Sequence, residues 1–124
     1  MLIQNKLILT AGISGFLAVA TGAFGSHILK THISPEMLEI FKTGVFYHLI
    51  HSVVILSVGL SGNTKLYKSC IFFIAGIILF SFSLYFYSVT SIKAFAIITP
   101  FGGVSFLTGW AVLVYSSLKK DKVQ

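Results

Sequence analysis

His48 and His51 stand three residues apart in a stretch without a charged side chain, and the pair Thr99-Pro100 stands in another. Imidazole binds metals, ligates haem iron and carries protons near neutral pH. A zinc site takes three or four ligands, and no carboxylate accompanies these histidines in any uncharged stretch. Haem takes one or two axial ligands, the second from His27 or from another subunit. Antiparallel pairing of the first two helices sets His27 near Leu38, about 15 Å along the helix from His51, which argues against His27. The structural alternative is that both rings hydrogen-bond inside a helical bundle.

Pro100 removes a helical hydrogen bond and frees a carbonyl that polar neighbours can satisfy. Counting from the span ends puts Pro100 about 12 Å below the outer end of its helix. Ser81 and Ser83 of the preceding span then fall opposite Pro100 and Ile98, with His48 and His51 at a similar depth. One polar layer of His48, His51, Ser81, Ser83, Thr99 and Pro100 is expected. Broken helices near the midplane form transport sites. A proline kink patched by serine and histidine is the structural counterpart.

The elements that must carry these residues are set by charge. No Lys, Arg, Asp or Glu lies between Lys6 and Lys30, between Lys42 and Lys65, between Lys68 and Lys93, or between Lys93 and Lys119. Each run exceeds the roughly 20 apolar residues that cross ~30 Å of hydrocarbon. With 56% hydrophobic and only 10% charged residues, the 124-residue chain has too little charge to cover a soluble surface. Spans are predicted over about 7–29, 43–60, 67–89 and 92–118. Helix 2 starts near residue 35, where Ser34 caps, Pro35 suits the first helical position and Glu36 suits the positive end of the dipole. Glu39 and Lys42 are spaced to pair on this first part, which is read as interfacial. Ser61-Gly62-Asn63-Thr64 and Thr90-Ser91 read as turns. Span 4 is expected to break at Thr99-Pro100, and Lys119 through Lys122 form a polar tail. Lys6 with Ala18-Val19-Ala20 loosely resembles a cleavable secretory signal. The uncharged stretch runs on to Leu29, so it is read as a retained span.

The fold class is all-α: an integral membrane four-helix bundle of two antiparallel hairpins, in a single transmembrane domain over 1–124. Six lysines on the side of the termini (Lys6, Lys65, Lys68, Lys119, Lys120, Lys122) against Lys30, Lys42 and Lys93 put both termini in the cytoplasm. Small residues Ala11, Gly15, Ala18, Gly22 and Gly25 share a face of span 1. Ser69, Gly76 and Ser83 share one in span 3, and Gly102, Ser105 and Gly109 one in span 4. In lipid such faces let helix backbones approach, within the bundle or between subunits. Tyr47, Tyr85 and Tyr87 on one side, and Tyr67, Trp110 and Tyr115 on the other, supply candidate belt anchors.

The net charge of +6 sits at span ends and is read as meeting lipid headgroups, not nucleic acid. The one cysteine, Cys70, reads as apolar filler. No phosphate-binding loop, nucleophile elbow, paired carboxylate or Cys-x-x-Cys is present, so no enzyme activity, catalytic residue, metal or cofactor is expected.

Several segments carry a resemblance. Gly22-Ala23-Phe24-Gly25-Ser26-His27 resembles the GAFGAH segment of a family of small membrane proteins, the domain of unknown function 423 or transmembrane protein 256-like family. Tyr47 and His51 match its Tyr-x-x-x-His pattern. Leu79-Phe80-Ser81 through Tyr85 is similar to its LFSGSLY segment, with Phe82 where glycine is expected. Ile98 through Gly103 and Gly109-Trp110 are similar to its ITPxGG and GW elements. The resemblance implies a four-span protein of the bacterial cytoplasmic membrane and no particular activity; it favours His51 over His48. Three functional readings stand. One is a non-catalytic accessory or scaffold subunit of a larger membrane complex. The second is a minimal homo-oligomeric transporter or channel using the His51–Thr99–Pro100 layer. The third is a haem- or quinone-binding subunit.

Overall fold

Ser34 accepts the backbone N–H of Met37 (3.2 Å) and Pro35 follows it, so the helix that carries both histidines begins where local chemistry sets it. It ends at Gly62, which adopts the left-handed conformation (φ 65°) that glycine takes without strain. The computed structural model describes residues 1–119 and consists of four long helices. These are α1 (Leu2–Leu29), α2 (Pro35–Ser61), α3 (Thr64–Thr90) and α4 (Lys93–Leu118), each long and apolar enough to cross a membrane. Among the described residues there is no strand. The tail beyond Lys119 lies outside the described residues.

α1 packs on α2, α2 on α3, and α3 on α4, so α2 and α3 form the inner pair and α1 and α4 flank them. The apolar core sits toward the end that holds the N-terminus. There Leu7 and Ala11 of α1 meet Ile55 and Val58 of α2 and Cys70, Phe73 and Ile77 of α3, with Phe106 of α4 closing it. Large side chains on the outer faces, among them Phe16, Phe24, Phe101 and Leu107, are exposed, as lipid contact requires.

Besides the 3-10 turn at Thr64–Leu66 that opens α3, two described segments depart from α geometry: π-helical turns at Thr21–Gly25 and Ile77–Phe82. Such turns recur at functional sites and where packing forces an extra residue into a helix. The second is gripped from both sides. A Cβ at Gly102 of α4 would run into the Phe80 and Leu79 backbone, and one at Gly44 of α2 would lie 3.1 Å from the Ser81 carbonyl. These two glycines fix the register of α2 and α4 against α3.

Several expectations need correction. α4 does not break at Thr99-Pro100: it is one helix with Pro100 inside it. Gly15 is not a contact of the bundle, since a Cβ there would meet nothing within 4 Å. The rest of that face does pack. Ala11 and Ala18 are buried, a Cβ at Gly22 would lie 2.8 Å from Val45, and one at Gly25 2.9 Å from the Phe41 ring. Gly76 and Gly109 receive the rings of Phe106 and Phe73. The pair expected on the first turns of α2 forms. Glu39 and Lys42 pair at 2.8 Å on the outside, while Phe41 and Gly44 on the same turns are buried.

Candidate functional site

His48 and His51 are both buried, yet they face different neighbours. Residues three apart on an α-helix are separated by roughly 60° around its axis. That rotation turns His48 toward α1 and α3, and His51 toward α4.

The His48 side is a chain of hydrogen bonds whose direction can be deduced. Ser52 donates its one proton to the His48 carbonyl (2.7 Å). The contact between Ser14 and Ser52 (2.6 Å) must then use the Ser14 proton. Ser14 therefore accepts from Nε2–H of His48 (3.1 Å). Nδ1 of His48 is left to accept the Tyr85 hydroxyl proton (2.9 Å). The run Tyr85–His48–Ser14–Ser52 joins α3, α2 and α1, and it requires the Nε2–H tautomer. Phe82 stands edge-on to the His48 ring at 5.5 Å, so the phenylalanine at the expected glycine position covers this network. A lateral cleft of about 270 Å³ between α1 and α3 has Ser14 and His48 in its wall.

The His51 side is aromatic. Nδ1–H of His51 donates to the Tyr47 carbonyl one turn back (2.8 Å), and Nε2 accepts the indole N–H of Trp110 (3.2 Å). This requires the opposite tautomer, Nδ1–H. The ring stacks on Phe106, with centroids 3.7 Å apart and planes within 9°. Phe73 lies on another side at 5.5 Å. A second cleft of about 270 Å³, between α2 and α4, is lined by Tyr47, His51, Phe80, Phe106 and Trp110.

The single polar layer does not form. Thr99 is paired with Ser83 instead (2.7 Å), and each hydroxyl also faces a carbonyl of its own helix, Ser83 that of Phe80 (2.8 Å) and Thr99 that of Phe95 (3.3 Å). Pro100 points outward and is exposed. Ser81 is fully buried, and its Oγ is the one buried side-chain oxygen or nitrogen without a hydrogen-bond partner among the described residues. The depth count fails because it starts α2 at Thr43, whereas the helix enters the bundle from Pro35. His51 lies about 24 Å from the start of α2 and Trp110 about 25 Å from the start of α4, whereas Thr99 lies only about 9 Å in. His27 is exposed.

Tyr85 is thus a hydrogen-bond donor to the buried His48, and Trp110 donates to His51 from an exposed position on α4. Ser14 and Ser52 are absent from the sequence reading altogether. Ser52, one turn after His48, is the only one with a local signal. Chemically, every ring nitrogen of the two histidines is engaged, including the lone pair on His51 Nε2 that an iron or zinc ion would use. Among the described residues, no three His, Cys, Asp or Glu side chains gather.

Four apolar spans, joined by buried serine, histidine and aromatic contacts, define a multi-pass membrane protein. Residues 21–103 match the family model described as "Protein of unknown function (DUF423)". The chain is 40% identical over 121 residues to the UPF0382 membrane protein YwdK of Bacillus subtilis (strain 168), covering 94% of this chain and 98% of that one. It is 35% identical over 117 residues to the UPF0382 inner membrane protein YgdD of Escherichia coli (strain K12), covering 91% and 89%. A UPF0382 membrane protein of Staphylococcus epidermidis (strain ATCC 12228 / FDA PCI 1200) is 38% identical over 121 residues. The protein belongs to the DUF423 family. No solved structure matches it.

Proposed function

We propose that this protein is a non-catalytic subunit of the bacterial cytoplasmic membrane, both termini in the cytoplasm, that packs through α1 against a helix of a larger membrane complex. The observation that carries this reading is the outer face of α1. Gly12 and Gly15 lie one turn apart, and a Cβ on either would meet nothing within 4 Å. α1 is also the least covered of the four helices. A glycine facing lipid contributes almost no packing, whereas facing a second helix it lets two backbones meet. The other glycines of α1, Gly22 and Gly25, are already used against Val45 and Phe41. The buried histidines support the same reading, since their hydrogen bonds are spent on holding helices together. The transport reading required His51, Thr99 and Pro100 on one surface and loses its basis with their separation. The lysine bias supports the orientation, and the inner-membrane name of the Escherichia coli relative supports the location.

The test uses Gly12→Leu/Gly15→Leu. Because neither side chain meets an internal neighbour, the variant keeps the wild-type melting temperature in mild detergent. Wild type co-purifies with a larger protein in fixed ratio, and the double variant does not. An unchanged complex, or a wild type that purifies alone or only with copies of itself, overturns the proposal.

A further inference from the structure

Phe80 and Phe106 stand at the middle of two uncharged runs, the first between Lys68 and Lys93 and the second between Lys93 and Lys119. The Tyr47 ring lies 4.6 Å from the Phe80 ring and 6.0 Å from the Phe106 ring. Tyr47 is therefore held near the centre of the hydrocarbon and not in the aromatic belt at its edge. Its carbonyl accepts from His51, but its hydroxyl has no hydrogen-bond partner among the described residues. A hydroxyl at this depth is costly unless something accepts its proton. Tyr47 lines the lateral cleft between α2 and α4. The other two side-chain donors of that cleft are spent, the Trp110 indole on His51 Nε2 and His51 Nδ1–H on the Tyr47 carbonyl. The Phe80, Phe106 and Trp110 rings supply flat apolar walls, and Leu107 and Trp110 are exposed where the cleft opens toward lipid.

We infer that this cleft binds the ring of a lipid-soluble quinone, with the Tyr47 hydroxyl donating to a ring carbonyl. The occupant must bring a hydrogen-bond acceptor to the middle of the bilayer. Water and phospholipid ester carbonyls lie at the hydrocarbon edge, about 15 Å away. Acyl tails reach the centre but carry no acceptor. An isoprenoid quinone is apolar throughout except for ring carbonyls, which accept and do not donate, and its flat ring matches flat aromatic walls. The volume of about 270 Å³ falls just below the range that takes drug-sized ligands, so the ring enters and the tail stays in the lipid. Gly103 keeps the entrance open: a Cβ there would meet only the Phe80 ring, at 3.9 Å. The cleft lies between α2 and α4 and leaves the outer face of α1 free for a partner helix.

Trp110 is the one tryptophan of the chain and stands in the wall of the cleft, so its emission reports a quinone that arrives there. The test is titration of the full chain in phosphatidylcholine vesicles with decylubiquinone, a quencher of indole emission at close range. Wild type shows saturable quenching. Tyr47→Phe binds about tenfold more weakly, as the loss of one hydrogen bond gives. Its melting temperature without quinone stays that of wild type, because the hydroxyl holds nothing within the chain. Gly103→Leu fills the entrance and abolishes the saturable component. Circular dichroism checks folding, and Tyr47→Phe carries the test if Gly103→Leu does not fold. Decylbenzene, which has the same tail and no carbonyl, does not compete. Quenching by wild type that never saturates, or Tyr47→Phe binding as tightly as wild type, overturns the inference. So does equal competition by decylbenzene, which would make the cleft a seat for any apolar chain. A wild-type homodimer that Tyr47→Phe converts to monomer assigns the hydroxyl to a second copy and also overturns it.

Discussion

The indole nitrogen of Trp110 lies 3.2 Å from Nε2 of His51 and donates its proton there, tying α4 to α2 across the flank of α3. α2 and α4 otherwise meet mainly through α3, so this bond and the stacking of His51 and Tyr47 on Phe106 link them directly. Trp110→Phe keeps a ring in place and removes the donor. The expected loss is about 1–3 kcal/mol, from leaving an imidazole lone pair without a partner. A double-mutant cycle with His51→Ala isolates the bond itself, worth about 0.6 kcal/mol on the average of interhelical bonds in membranes. Reversible unfolding in mixed detergent measures both. A coupling of zero would show that the two residues do not share a bond.

The two histidines are expected to hold opposite tautomers: Nε2–H at His48 and Nδ1–H at His51. The first follows from the donor chain that ends on the His48 carbonyl, the second from the Tyr47 carbonyl and the Trp110 indole. Nitrogen chemical shifts from solid-state NMR of the protein in bilayers distinguish the two. Tyr85→Phe should change the His48 signal and leave that of His51 in place. Identical tautomers would break the deduced donor order.

Two glycines predicted alike from sequence should behave differently. At Gly102 a Cβ meets the Phe80 backbone, which cannot give way as a side-chain tip can. Gly102→Ala should destabilise by roughly 1–3 kcal/mol, the usual range for forced overpacking. Gly15→Ala should leave stability within about 0.5 kcal/mol of wild type, as surface substitutions do. Thermal unfolding in detergent decides; a Gly102→Ala protein as stable as wild type would mean that α3 and α4 do not cross there.

Orientation is open to chemical labelling. Thr31 and Asn63 are exposed in the turns at opposite ends of the bundle, and Cys70 is buried, so Cys70→Ser provides a quiet background. An impermeant thiol reagent on intact cells should modify a cysteine placed at Thr31 and not one placed at Asn63. The reverse pattern would invert the proposed topology.

The four spans, the start of α2 and its end were legible in the sequence because each is decided locally. An uncharged run either matches the hydrocarbon thickness or does not. Ser34 and Pro35 cap a helix whatever it later packs against, and Gly62 stops one for reasons of its own backbone. Seven-residue spacing also marked Ser69, Gly76 and Ser83 correctly as one buried face of α3.

Which polar groups meet was decided by the tertiary structure alone. A shift of one residue turns a helical side chain by roughly 100°, and a shift of two turns moves it ~11 Å in depth. Neither quantity is encoded within a single helix. Gly44 and Gly102, pressed against the π-helical turn of α3 from opposite sides, set that rotation and depth. Hence His51 meets Trp110 and not Thr99, and Gly15 of the small-residue face of α1 meets no neighbour in the chain.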